Sequence, residues 1–233
     1  MSIDSSSRDR VPRKSGSEGD SEPRPRLRIE GLRLRYPGQL AAVIDGVDLA
    51  AGSGELVAVA GRNGAGKSSL ALAAAGLVPR VVRAAVAGSV WLDGIDALRA
   101  SAADLAGRVG IVFSTPARQL SGSKPTVREE LAFGLENLGL PRDEMDARID
   151  RVVERMGIGH LAGRDPFTLS GGEQQRVAVA SIVVMEPRTI VLDEPTAQLD
   201  PAGAQAVAAL LGELASEERA VLYAEHRSTL LGV

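Results

Sequence analysis

The 233-residue chain contains no cysteine. Disulfides, thiol nucleophiles and cysteine-ligated zinc are therefore excluded, and the absence is in keeping with a cytosolic chain. Aromatic residues make up only 3%, so the core must be aliphatic, built mostly from Ala, Val and Leu. The net charge of -3 gives no electrostatic case for a nucleic-acid surface, and no nucleic-acid partner is expected. No segment approaches the roughly 18 apolar residues of a membrane span; the longest small-apolar run, "LALAAAGLV", is too short. The N-terminus lacks the apolar stretch of a secretory signal. What remains is an ordinary globular balance, 44% hydrophobic and 24% charged, with length for one large domain or a domain plus a subdomain.

Residues 1 to about 26 are polar and rich in Ser, Arg, Pro and Asp. Such a segment cannot bury enough apolar surface to offset its ordering entropy, and it reads as a disordered tail. Order is expected from Leu27. "LRIEGLRLRY" alternates apolar and charged residues, with Gly31 shifting the phase as in an edge strand with a bulge. "AAVIDGVDLA" alternates again, and "ELVAVAG" reads as a short buried strand. A helix is expected at about 67–76, then strands at "GSVWLDG" and "RVGIVF". From Thr126 the pattern turns helical, with Thr126 and Glu129 as a capping box and Met145, Ile149, Val152 and Met156 at helical spacing. A helix at 171–185, a strand "TIVLD", a helix at 201–215 and a strand "AVLYAE" follow. Strand–helix alternation on both sides of a helical insert predicts a largely parallel α/β core.

"GRNGAGKSS", Gly61 to Ser69, satisfies G-x-x-x-x-G-K-[ST] between a predicted strand and a predicted helix, the context that a phosphate loop requires. Gly61, Gly64 and Gly66 let the backbone N–H groups of Arg62, Asn63, Ala65 and their neighbours turn around phosphates. The helix start adds its dipole. Lys67 would neutralise β- and γ-phosphates, and the hydroxyl of Ser68 would bind Mg²⁺. "TIVLDEP" supplies the strand-end carboxylates: Asp193 for the metal, and Glu194 as a base or water-positioning group. His226 ends the next strand at the same sheet edge, where a γ-phosphate contact is expected. A second helix start, "LSGGEQQR", also faces an anion: Ser170 caps it, Gly171 and Gly172 expose backbone, and Glu173 closes a capping box.

Phosphate loop, LSGGEQ and LDEPTAxLDP in this order resemble the ATP-binding cassette (ABC) ATPases from about Leu27 to the end of the chain. The resemblance implies an α/β P-loop fold with an N-terminal antiparallel β subdomain and a helical subdomain at about 115–170. It implies ATP and Mg²⁺ as ligands, and a head-to-tail dimer with a second ABC ATPase half, identical or different. Ser170, Gly171, Gly172 and Glu173 would then serve the nucleotide of the other half. Tyr36 in "LRYPG" resembles the aromatic that stacks on adenine, Asp200 the loop that couples the two sites, and His226 the switch histidine. "AFGLENLGLP" and "GLVPRVVRAAVAGSVWLDGIDA" are similar to the energy-coupling-factor (ECF) importer ATPases, which sit on the cytoplasmic face of the membrane with transmembrane subunits and power uptake of vitamins or transition-metal ions. "AEHR" in place of "THD" resembles the first half of tandem members.

Two departures stand out. Ser114 occupies the place after "VF" where the family carries glutamine, and Gln119 lies five residues on. The chain also stops soon after His226, so it resembles an incomplete cassette or half of a longer protein. A non-transport ABC ATPase, or a nucleotide-binding half with weak hydrolysis, are the rival readings.

Overall fold

A computed structural model describes residues 25–197 and 199–225. Two four-stranded sheets organise it: an antiparallel one in the order β2-β1-β4-β5 and a parallel one in the order β3-β8-β7-β6. The antiparallel sheet holds β1 (Leu27–Arg35), β2 (Ile44–Ala51), β4 (Ala85–Leu92) and β5 (Ile95–Asp96). The parallel sheet holds β3 (Leu56–Ala60), β6 (Val109–Val112), β7 (Thr189–Asp193) and β8 (Ala220–Glu225). Helix α1 (Lys67–Ala74) follows β3, and a short α2 (Ala102–Leu105) precedes β6. The helical insert contributes α3 (Val127–Asn137) and α4 (Arg142–Arg155) and leads into α5 (Gly171–Val183); α6 (Pro201–Ser216) connects β7 to β8.

The two central strands of the parallel sheet, β7 and β8, are buried on both faces, as crossover helices require. Along β7, Ile190 and Leu192 join the core shared with the insert, α5 and α6. Val191, pointing the other way, joins the core shared with α1 and the antiparallel sheet. Strand β8 divides in the same manner, Val221 and Tyr223 to one side and Ala220 and Leu222 to the other. Helix α1 fits between two sheets because its buried positions are small: Ala71, Ala73 and Ala74 beside Leu70.

Strand β1 is interior, hydrogen-bonded to both β2 and β4, and not the edge strand that its charges predict. Its charged residues lie on the solvent face of an antiparallel sheet, which allows alternation in an interior strand. The bulge expected at Gly31 is present: the register to β4 shifts between Glu30 and Arg33, and Gly31 has φ 55°. Arg26, just before β1, is held by the core. Arg26 donates to the Glu218 carbonyl at 2.9 Å and pairs with Asp93 at 3.4 Å. Residues before 25, which carry most of the expected tail, lie outside the described residues.

The insert is tied to the core by ions as well as by apolar contact. Arg155 of α4 reaches Glu213 of α6 at 3.0 Å and Glu217 just beyond it at 2.8 Å.

Opposite the bulge, Gly88 has φ 88°, and a Cβ there would stand 2.5 Å from the carbonyl oxygens of both Glu30 and Gly31. We expect Gly88→Ala to lower stability by more than about 2 kcal/mol in urea unfolding, since backbone must move. Gly94→Ala, also at positive φ but with open space around it, should cost only about 1 kcal/mol.

Candidate functional site

Parallel register brings three strand ends to one edge. Asp193 of β7 lies beside Ala224 of β8, and Glu225 of β8 beside Ala60 of β3. The chain leaves β3 at Gly61 and winds through the phosphate loop into α1. Gly66, the residue before α1, has φ 89°, and a Cβ on it would be 2.7 Å from the carbonyl oxygen of Val43. Only glycine lets the loop lie this close to the chain entering β2.

Lys67 is buried, 7% exposed. Its ammonium donates to the carbonyl oxygens of Gly61 at 2.9 Å and Arg62 at 3.3 Å, and pairs with Glu194 at 3.5 Å. One residue on, the hydroxyl of Ser68 donates to Asp193 Oδ1 at 3.0 Å. The structure thus joins the phosphate loop to both strand-end carboxylates. Arg62, Asn63, Gly64 and Ala65 form the exposed crest of the loop. Ser69 is buried, and Tyr36 donates its phenol hydroxyl to Ser69 Oγ at 3.0 Å, tying the aromatic after β1 to α1.

Asp193 is only 6% exposed. Burial raises its pKa, the Ser68 hydrogen bond opposes that, and the charges of Glu194 and Glu225 raise it further against the pull of Lys67. Burial, with the charge of Glu225 adding to it, also raises the Tyr223 hydroxyl. A buried carboxylate and a hydroxyl at one point, with further negative charge nearby, suit a hard divalent cation with oxygen ligands such as Mg²⁺.

Glu194 follows β7 with φ 50°. Its N–H donates to the Ala224 carbonyl at 2.9 Å, which turns its side chain back toward Lys67.

The second helix start is separate from these groups. Ser170 is the N-cap of α5, and its Oγ accepts from the Glu173 N–H at 3.4 Å. The Glu173 carboxylate accepts from the Ser170 N–H and hydroxyl, each at 2.8 Å, as the capping box predicts. The Ser170 backbone and then side-chain hydrogen bonds hold the Glu173 carboxyl below its ordinary value. Ser170, Gly172 and Glu173 line one open groove of about 540 Å³ with Asp200, while Gly171 lies exposed at the helix start. Asp200 caps α6, accepting from the Gly203 N–H at 2.8 Å. No phosphate-loop residue lines that groove.

Ser114 lies two residues beyond Val112, whose partner in β7 is Leu192, so it sits beside the strand end that carries Asp193. Gln119 points elsewhere. Its amide accepts from the Phe113 N–H at 3.2 Å and donates to the Ala178 carbonyl at 2.7 Å and Ser181 Oγ at 3.2 Å, both on α5. His226 lies outside the described residues. Two groups that the sequence reading passed over belong to this edge: Glu225, 8% exposed, and Thr196, which donates to it at 2.7 Å. The signal for Glu225 was present, a carboxylate closing an otherwise apolar strand in "VLYAE".

A phosphate loop between β3 and α1, with a carboxylate at the end of a parallel strand touching its serine, defines the P-loop nucleoside triphosphatase fold. Residues 44–197 match the family model described as ABC transporter, and the chain belongs to that family, whose ATP-binding members hydrolyse ATP to power transport. It is 41% identical over 191 residues to an energy-coupling factor transporter ATP-binding protein of Lacticaseibacillus paracasei, covering 82% of this chain and 66% of that protein. It is 41% identical over 202 residues to one of Methanothermobacter thermautotrophicus, covering 86% of this chain and 62% of that protein. The chain spans 73% of a Pyrococcus abyssi relative but only 32% of a longer Methanosarcina acetivorans one. Among solved structures it is similar to cbiO1 of Clostridium perfringens, part of the ABC transporter complex cbiONQ, at 34% identity and a TM-score of 0.75, covering 89% of this chain and 81% of that one. It is also similar to a dimeric bacterial ABC transporter cassette at 25% identity and a TM-score of 0.74, covering 88% and 89%.

The raised pKa of Asp193 has a direct consequence. The folded chain holds this proton more tightly than the unfolded chain, so the ionised group opposes folding near neutrality, and the penalty fades as pH falls through the raised value. Asp193→Asn keeps an acceptor for Ser68 and removes the buried charge. We expect a higher thermal unfolding midpoint near neutral pH together with loss of Mg²⁺-dependent hydrolysis.

Proposed function

We propose that the chain is the ATP-hydrolysing subunit of an ECF-type importer on the cytoplasmic face of the membrane, paired head-to-tail with a second ATPase half and docked on transmembrane subunits. The observation that carries the hydrolytic part is the contact of Ser68 with buried Asp193, beside the Lys67–Glu194 pair. The importer part is supported by "AFGLENLGLP" and by identity to energy-coupling factor ATP-binding proteins.

Lys67 turns its ammonium from the Gly61 and Arg62 carbonyls to the β- and γ-phosphates of ATP. Ser68 and Asp193 would hold Mg²⁺, which when bound would neutralise phosphate charge and supply a Lewis acid. Glu194 orients the attacking water and accepts its proton. Tyr36, fixed through Ser69, offers its ring to the adenine. Ser170, Gly171 and Gly172 present the α5 start to the γ-phosphate held by the other half, and Asp200, in the same groove, links the two sites. His226 serves as the γ-phosphate switch. The importer reading predicts co-purification with a small membrane protein and substrate uptake that depends on ATP hydrolysis by the complex; the transported species is a vitamin or a transition-metal ion.

Lys67→Ala should abolish ATP binding and turnover, whereas Gly171→Asp should leave nucleotide affinity within about threefold and cut turnover at least about a hundredfold. Nucleotide-binding titrations beside phosphate-release assays separate the two. Parallel loss of affinity in Gly171→Asp overturns the assignment across the dimer.

Ser114 favours a slow half-site. A serine side chain is shorter than that of glutamine and would reach a bound metal only through a bridging water, and the Gln119 amide is committed to α5. Ser114→Gln should raise partner-stimulated hydrolysis several-fold, about two- to tenfold, with ATP affinity within about threefold. Unchanged stimulation in a steady-state assay of the assembled complex rules out this account of Ser114.

A further inference from the structure

Glu194 occupies a backbone conformation that an L-residue with a side chain rarely takes, at φ 50°. It also precedes Pro195, which disfavours helical backbone at the residue before it. A turn of this kind persists only where its surroundings hold it. Two consecutive residues of β8 do so. The Ala224 carbonyl accepts from the Glu194 N–H at 2.9 Å, and the Glu225 carboxylate accepts from the Thr196 hydroxyl at 2.7 Å. The turn closes on itself through Ala197 N–H to the Glu194 carbonyl at 3.2 Å, then Leu199 N–H to the Thr196 carbonyl at 3.0 Å, and leads to Asp200.

Glu225 is an unusual anchor. It is 8% exposed, and its backbone is registered with Ala60, the last residue before the phosphate loop. Its negative charge bears on Asp193, whose pKa it helps to raise. The same charge strengthens the bond that it accepts from a hydroxyl.

We propose that Glu225 is a positioning residue for ATP hydrolysis, acting through Thr196 to hold the turn that aims Glu194 and leads to Asp200. This rests on the reading of Glu194 as the water-orienting carboxylate. The Thr196–Glu225 bond sets where the Glu194 side chain stands relative to Lys67 and the γ-phosphate, while Lys67, Ser68 and Asp193 retain the nucleotide without it. Its loss therefore lowers the rate of the chemical step and spares binding.

The test uses the full chain in its assembled ATPase complex. Thr196→Val, which keeps shape and removes the hydroxyl, should lower kcat about tenfold with KM and ATP affinity within about twofold. Thr196→Ser should recover to within about twofold of the parent. Glu225→Ala should match Thr196→Val, and the double substitution should be no worse than either alone by more than about twofold. If Glu225→Ala does not fold, the Val and Ser variants at Thr196 carry the test by themselves. A fall in affinity equal to the fall in kcat, multiplicative single effects, or no recovery with serine overturns the proposal. Glu194→Gln serves as the control. If it stops turnover while Thr196→Val does not, the inference about Glu225 fails alone; if Glu194→Gln turns over like the parent, the reading of Glu194 fails and takes the inference with it.

Discussion

Helix α1 can begin at a phosphate loop only because it can be buried between two sheets. Its packed face is Leu70, Ala71, Ala73 and Ala74, so the antiparallel sheet and the parallel sheet approach it closely from opposite sides. A longer side chain at any of these alanines would push one sheet away and tilt the helix start. The hydroxyl of Ser68 would then no longer meet Asp193. The N-terminal strands thus act on the site without contributing an acid or a base: they clamp the helix that carries the phosphate-binding groups.

At the sheet edge, electrostatics works against the fold. Glu194 pairs with the buried ammonium of Lys67, the charges of Glu194 and Glu225 bear on Asp193, and burial raises the pKa of Asp193. In a purely structural protein this arrangement would be relieved by neutral side chains. In the function proposed above, the negative charge is matched to a divalent cation and to the ammonium of Lys67. The left-handed backbone at Glu194 adds to the same cost. Stability is supplied elsewhere, by two aliphatic cores that lie on opposite faces of β7 and β8.

Much of this arrangement was legible in the sequence because local chemistry and periodicity agree. The phosphate loop, the Ser170–Glu173 capping box and the helix start at Thr126 each depend on residues a few positions apart, and the structure has them where spacing puts them. Strand β1 was read as an edge strand because its charges alternate; whether a strand with one wet face is interior depends on which partners flank it, and that is decided far along the chain. Glu225 was missed for a related reason. A carboxylate closing the apolar strand was visible, but its partners, Thr196 29 positions earlier and β3 through parallel pairing, are not written near it in the chain. Gln119, five residues beyond Ser114, was too far along to share its place without a slip of the loop, and its three bonds to Phe113 and α5 reveal where its amide goes.

The carbonyl of Val43 forms a floor directly beneath Gly66, while Leu40, three residues before it, is fully solvated. The segment between β1 and β2 therefore has two unequal tolerances within a handful of residues. A fluorophore, an epitope or a few inserted residues at Leu40 would meet only water. The same alteration at Val43 would lift the phosphate loop itself. Protein engineers seeking a handle on this cassette have a site for attachment within a short reach of the nucleotide, provided that the graft ends before the chain turns into β2.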